Sequence, residues 1–329
     1  MGKKGPLSGI RVVELATALA APGAARIMAD QGADVIKVEV PGIGDVLRFV
    51  GPNRNGVTAI HQNVNRGKRS IAIDLKSARG CGLVKKLTAR ADVFIHNFRP
   101  GVTERLGISY DDMCAVNEAL IYVSVTGFGQ KGPYAKKPAW DNVMQAFSGI
   151  AQSQADPETG EPVQFYQIFV DKLTAVTASQ AITAALFARE QGTGGQHIQL
   201  AMADCVVAFL WPDVGAEATF QEKEGMEVGT PLTRAAKPLR FTDGWAQVAP
   251  VNDKEFFGLY RAFGVDVGDD PRLATIENRM QNLPLVEEMF GKITAVASEM
   301  EVEAAIARLE TEDVPCAQVM AIAELPQHP

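Results

Sequence analysis

Cysteine is scarce in this 329-residue chain, and its four copies, Cys81, Cys114, Cys205 and Cys316, form no Cys-x-x-Cys pair. That excludes a disulfide framework and a zinc ribbon, and reads as buried free thiols in a reducing compartment. Four scattered histidines offer no metal-ligand spacing, so no metal cofactor is expected. Long apolar runs are also missing: the stretch from Ala16 to Ala25 is short and contains Pro22, so no membrane span is expected. No apolar segment follows Lys3 and Lys4, as a signal peptide would require, and Pro6 stands where myristoylation of Gly2 needs Ser or Thr. A cytoplasmic location is therefore expected.

Familiar nucleotide motifs are absent too. The chain has no G-x-x-x-x-G-K-[ST] and no G-x-S-x-G nucleophile elbow. The turn after the first apolar run, Ala16 to Gly23, carries one glycine where a dinucleotide fingerprint needs three, so no nicotinamide cofactor is expected. A G-x-G-x-x-G pattern does occur at Gly127–Gly132, but Pro133 and Pro138 follow it, which predicts a loop instead of a phosphate-binding helix start.

What is present is ordinary globular composition, 47% hydrophobic and 22% charged, enough for two domains. The net charge of −7 gives no reason to expect nucleic acid, but its distribution is uneven. From Ile60 to Trp140 there are 13 basic and 6 acidic residues, while the remainder holds 19 basic and 33 acidic. A basic segment inside an acidic protein suits a phosphorylated ligand, although solvated surface charge has the same signature.

Over the first two hundred residues, β-rich runs alternate with helical patterns. The runs are Ile10–Leu15, Val35–Glu39, Ser70–Asp74, Val93–Ile95, Ile121–Val125 and His197–Ala201. Several are apolar on both faces, as in strands covered by helices on each side. This predicts an α/β fold with a doubly wound, mainly parallel, Rossmann-like sheet. Pro22 suits a first helical position, and Ser77 suits the cap of a helix reaching about Arg90. After residue 215 the character changes. Ala216–Thr230 reads as a linker, Leu239–Ala249 as a hairpin turning at Asp243-Gly244, and Glu255–Phe263, Leu285–Ala295 and Glu301–Leu309 as helices. A large domain over 1–215 and a smaller α+β domain within 216–329 are therefore expected.

Several segments, taken in order, carry a family resemblance. They are Pro6–Leu15, Gly32–Glu39 with Pro41, Gly44-Asp45 and Arg48, Asn65–Ser70, Asp92 with Asn97–Gly101, Gly127–Tyr134, Asp171, Gly192–Gln196 and Val314–Cys316. In their number, order and spacing the chain resembles the class III coenzyme A transferases, which include formyl-CoA transferase, carnitine CoA-transferase and α-methylacyl-CoA racemase. The resemblance covers nearly the whole chain.

It implies an acyl-CoA:carboxylate CoA-transferase with coenzyme A as the acyl carrier, an acyl-CoA donor and a carboxylic acid acceptor. Asp171 matches the family's nucleophile, at the start of a helix running from Lys172 to Arg189. Position at a helix N-terminus should keep its carboxylate ionised, and an ordinary capping role is the competing reading. That helix is expected to be buried on both faces, with Leu173, Val176, Ala184 and Phe187 on one and Ile182 and Leu186 on the other.

For CoA, the resemblance implies Leu19 and Ala20 in the first loop, approaching mainly by backbone. It also implies Ile73 and Lys76, then Asn97, Phe98, Arg99 and Arg105, and further on Lys136, Lys137, Ala139, Trp140 and Asp141. Lys68 and Arg69 stay divided between phosphate contact and structure, and Gly192–Gln196 reads as a plain turn.

Four departures stand out. The glycine-rich loop of formyl-CoA transferase is not recognisable between Gly225 and Asp243, so oxalate and formate are not expected as substrates. Val40 replaces an arginine of formyl-CoA transferase, Ala175 replaces a common glycine, and Trp140 replaces the histidine of the racemases. An indole cannot carry a proton between the two faces of a carbon, which makes racemase the second choice; an inactive CoA-binding relative is the third. Family members form interlinked dimers, so a homodimer is expected. They also continue past the point equivalent to Pro329 with a segment returning to the large domain, and that segment is expected to be missing.

Overall fold

The computed structural model describes residues 5–222, 224–226 and 237–328, in two compact units, residues 1–222 and 223–329. The first unit is built on six parallel strands. These are β1 (Arg11–Leu15), β2 (Asp34–Glu39), β3 (Arg69–Ala72), β4 (Val93–His96), β5 (Ile121–Thr126) and β6 (Gln196–Ala201). Their spatial order is β3-β2-β1-β4-β5-β6, the doubly wound arrangement, and each strand lies within about two residues of the apolar run that predicted it. The order in which strands are added to the sheet reverses between β1 and β4, which pair in parallel through Val12 with Val93 and Leu15 with His96. A crevice therefore opens beyond the carboxyl ends of those two strands.

Strand periodicity builds both layers of the core. Val12 packs with α1 (Ala20–Asp30), while its neighbours Val13 and Leu15 face α2 (Ala78–Thr88) on the opposite side. As expected, Ser77 caps α2: its Oγ accepts the Gly80 N–H at 3.1 Å. Pro22 is not the first helical residue but the third, since α1 begins at Ala20. Proline is tolerated throughout a first turn, where no N–H has an intrahelical partner. The remaining helices of this unit include α3 (Asp141–Phe147), α4 (Val170–Ala188) and α5 (Met202–Leu210).

α1 and α4 both run from the carboxyl toward the amino end of the sheet, and they touch through small residues. A Cβ added to Gly23 would lie 2.8 Å from the Cβ of Ala175, so glycine is what permits this approach. Within one chain, and contrary to expectation, α4 is not buried on both faces. Its Thr174, Ala175, Ala178, Ile182 and Ala185 are buried, but Val176 is 58% and Phe187 69% exposed, and Ala184 is exposed as well. Only the small-residue stripe meets α1 and the sheet. The cysteines need a similar correction: all four are free, but only Cys205 is buried.

In the second unit, β7 (Leu239–Arg240) and β8 (Trp245–Val248) form the expected hairpin, closed by the Phe241 N–H to the Gly244 carbonyl at 2.9 Å. β9 (Cys316–Gln318) pairs antiparallel with β8. Helices α6 (Asp253–Ala262), α7 (Leu283–Ala297) and α8 (Val302–Thr311) enclose a core of Phe241, Leu259, Ile293 and Leu309. Of the expected linker, Ala216–Thr219 is a short 3-10 helix and residues 227–230 lie outside the described residues. Among the described residues, no helix is long and apolar enough to cross a membrane.

Candidate active site

Asp171 is the second residue of α4, after Phe169 at the cap position and Val170. Its carboxylate caps nothing, and among the described residues no group donates a hydrogen bond to it. Its backbone N–H is engaged instead, donating to Asp141 Oδ1 at 2.9 Å. The side chain is nine-tenths buried. Burial first, and the neighbouring Asp141 charge second, push its pKa up to about 7. The helix N-terminus does not hold this carboxyl ionised in the ordinary range, contrary to the sequence expectation, because desolvation and like charge outweigh a macrodipole effect of roughly 0.3–1 kcal/mol.

Asp141 opens α3 and is fixed from two sides. Its Oδ2 accepts from Gln145 Nε2 at 2.7 Å. Gln145, itself buried, also donates to the Gln167 carbonyl at 3.1 Å and accepts the Phe165 N–H at 2.9 Å. One amide thus joins α3 to the segment leading into α4. Both oxygens of Asp141 are occupied within the protein, which marks it as a support for Asp171. Sequence reasoning had grouped it with the CoA residues.

On the other side of the crevice, residues 16–19 connect β1 to α1. Asn97, just past β4, accepts the Thr17 N–H at 3.1 Å and donates to the Thr17 carbonyl at 2.7 Å. Ala18 is left-handed, with φ +63°, and its N–H donates to Asp45 Oδ1 at 3.2 Å. Beneath it lies a buried ion network. Lys37 Nζ reaches Glu14 at 2.6 Å, Asp45 at 2.8 Å and the Ala16 carbonyl at 2.9 Å. Lys68 reaches the other Glu14 oxygen at 2.7 Å and the Pro22 carbonyl at 2.8 Å.

Desolvation works against Lys37, but Glu14 and Asp45 together raise its pKa. Burial dominates at Lys68 and brings it down to about 8. Lys68 is thus built into the buried network, while Arg69, with its side chain 66% exposed, pairs with Asp34 at 2.7 Å. Glu39 holds the next loop. Despite burial, hydrogen bonds from Arg48, Ser70 and the Asp45 amide bring its pKa down to about 2. Sequence reasoning missed Glu14, Lys37 and Gln145 entirely. Glu14 and Lys37 carried a signal, since charged residues inside otherwise apolar strands must find partners.

The other expected CoA residues sit mostly on loops after the carboxyl ends of strands. Leu19 is buried with Leu47 and Val64, and Ala20 is buried at the first position of α1. Ile73 points into the core beside α2, which leaves its backbone as the part facing the loop. Phe98 stacks on His96 with centroids 5.8 Å apart, and its N–H donates to His96 Nδ1 at 3.2 Å. With Val40, Asp45 and Leu75, Phe98 lines a small cavity of about 40 Å³ at the crevice. Lys76, Arg99, Arg105 and Lys136 are exposed and, among the described residues, form no ion pair. Lys137 lies over the Tyr134 ring at 3.5 Å from its centroid. Ala139 packs against Gly127, where an added Cβ would come within 2.2 Å, and Trp140 is 58% exposed. The Gly127–Gly132 pattern is a loop, as predicted.

Residues 7–329 match the family model described as CoA-transferase family III. The chain is 35% identical over 333 residues to the succinate–glutarate CoA-transferase of Agrobacterium fabrum, covering 98% of this chain and 82% of that protein. It is also 35% identical to the acetyl-CoA:oxalate CoA-transferase of Acetobacter aceti, over 85% of this chain and 72% of the relative. The crystal structure of a CAIB/BAIF family protein from Brucella suis superposes with a TM-score of 0.85 at 33% identity, over 99% of this chain and 87% of that one. With a doubly wound sheet, an open crevice at its switch point and a match that runs almost from end to end, the chain belongs to CoA-transferase family III and is a CoA-transferase.

Proposed function

We propose that this enzyme moves coenzyme A from an acyl-CoA to a free carboxylic acid with Asp171 as a covalent nucleophile. The observation that carries the reading is the Asp171 carboxylate, nine-tenths buried at a helix start without a hydrogen-bond donor. An unsolvated, unpartnered carboxylate is a stronger nucleophile than a solvated one.

The Asp171 oxygen attacks the donor thioester carbonyl, the C–S bond breaks, and CoA leaves as thiolate from an aspartyl–acyl anhydride. The thiolate then attacks the aspartyl carbonyl, expelling the donor acid as carboxylate and leaving an aspartyl-CoA thioester. The acceptor carboxylate attacks that thioester and again releases thiolate. Thiolate attack on the acceptor carbonyl of the second anhydride yields the new acyl-CoA and restores the Asp171 carboxylate. No proton needs to be supplied at any step.

In this reading Lys76, Arg99, Arg105 and Lys136 hold the phosphates of CoA, as exposed cations that form no ion pair among the described residues, and Phe98 and Arg99 with the 16–20 loop flank the carrier. The enzymes named for succinate, glutarate and oxalate among its relatives support a dicarboxylate acceptor. The exposed Val143, Phe147, Val176, Phe187 and Phe209 on the mutually packed α3, α4 and α5 support a homodimer, in which a second copy covers them. The enzyme is proposed to work in the cytoplasm.

The test is hydroxylamine trapping during turnover with succinyl-CoA and glutarate, followed by mass mapping. A hydroxamate on Asp171 supports the mechanism. A modified residue elsewhere, or transfer with no adduct, removes it.

A further inference from the structure

Asn97 belongs to the stretch expected to contact CoA, yet both polar ends of its side chain are committed to Thr17, at 3.1 Å and 2.7 Å. The last backbone rung between β1 and β4 is Leu15 with His96. Asn97 follows directly, so its amide acts as one more rung, joining two segments that have no further ladder between them. Thr17 is one of three consecutive residues held this way. The Ala16 carbonyl takes Lys37 Nζ, and the Ala18 N–H takes Asp45. The restraint has something to oppose: Ala18 sits at φ +63°, a conformation a residue with a Cβ avoids. Immediately beyond, Leu19 leads into α1. One turn later Gly23 meets Ala175, which lies one turn after Asp171 on α4.

We infer that Asn97 is a positioning residue for the transfer reaction: by clamping Thr17 it holds residues 16–19 in the one conformation that seats the start of α1 beside Asp171. It acts through that segment and not as a CoA ligand. The inference rests on Asp171 being the site of chemistry, because only then does the register of α1 against α4 set the rate.

The test compares wild type, Asn97→Ala and the double variant Asn97→Ala/Ala18→Gly. The readouts are steady-state transfer, calorimetric CoA binding and hydrogen exchange of the peptide containing residues 16–19. Asn97→Ala should lower kcat by about 10- to 100-fold, the scale on which a displaced reacting group costs rate. It should speed exchange at 16–19, and any fall in CoA affinity should accompany that loosening, because residues 16–20 flank the carrier. Ala18→Gly should recover part of kcat, because glycine holds a positive φ without a clamp. A loss of CoA affinity of about tenfold or more with unchanged exchange would make Asn97 a ligand and overturn the inference. So would absence of rescue. If Asn97→Ala fails to fold, Asn97→Asp, which keeps the acceptor for the Thr17 N–H, takes its place with the same criteria. Exchange and CoA affinity judge Asn97 even if trapping shows that Asp171 is not the nucleophile.

Discussion

Asp141 accepts the backbone N–H of Asp171 at 2.9 Å while its negative charge opposes ionisation of the Asp171 carboxyl. One side chain therefore fixes the place of its neighbour and adds to the rise in basicity that burial causes. Asp141→Asn keeps an oxygen for the N–H and removes the charge. The midpoint of the pH–rate profile should move toward lower pH, yet remain above the ordinary aspartate range because burial is the larger cause. A profile unchanged in position would show that the Asp141 charge has no influence on the Asp171 carboxyl.

Wild-type transfer should rise with pH through about 7, as Asp171 becomes a carboxylate, and then level off. Asp171→Ala should lower transfer by at least about 10³-fold, roughly 4 kcal/mol of barrier. CoA affinity should change far less, and calorimetry of the variant separates the two effects. Retained turnover would end the nucleophile assignment.

The same carboxyl makes a stability prediction. Its folded pKa of about 7 lies above the ordinary 3.8, so the folded state keeps a proton that the unfolded chain releases between those values. The contribution of this carboxyl to stability is therefore fullest below about pH 4, falls through the window, and is lowest above 7. Asp171→Asn removes the buried charge and should stabilise the protein at pH 8 by on the order of a few kcal/mol, with the gain vanishing toward pH 4. Denaturant titrations at the two pH values measure this, and equal stabilities at pH 8 would contradict the pKa.

Arg105→Ala should weaken CoA binding by about tenfold, the scale of one charge-assisted hydrogen bond to phosphate. The loss should be largest at low salt, and dephospho-CoA, which lacks the 3′-phosphate, tells which phosphate is involved. Equal affinity in variant and wild type would show that this exposed guanidinium is only surface charge.

Gly23→Ala tests the seam between α1 and α4. The added methyl would stand 2.8 Å from the Ala175 Cβ, so the helices must part. Overpacking of this kind costs about 1–3 kcal/mol, and here it should lower transfer as well by moving Leu19 away from Asp171. Thermal melting and kinetics should fall together.

The four central strands were legible in the sequence because they are compact, mostly apolar runs whose alternate residues feed two separate layers, as Val12 and Val13 do, whereas the edge strands Arg69–Ala72 and Gln196–Ala201 are more polar. The helix cap at Ser77 was readable from residue type. The site was legible only in outline. A resemblance could point to position 171, but the raised pKa comes from the distant Asp141 and from burial, neither of which is local to the chain. The Glu14–Lys37–Asp45–Lys68 network joins four separate segments, so no window of sequence contains it. Burial on one face of α4 was misjudged because apolar residues on an exposed face look the same in sequence as residues facing a core.

The strand order has a cost during synthesis. β1 emerges first, yet it ends in the middle of the sheet, and its partner β4 lies about eighty residues later. Until that partner leaves the ribosome, one edge of β1, with its apolar Val12, Val13 and Leu15, stays unpaired, inviting holdase chaperones or association with other nascent chains. Slow translation between β3 and β4 would lengthen this exposure, so the yield of native enzyme should depend on how quickly the ribosome crosses that interval.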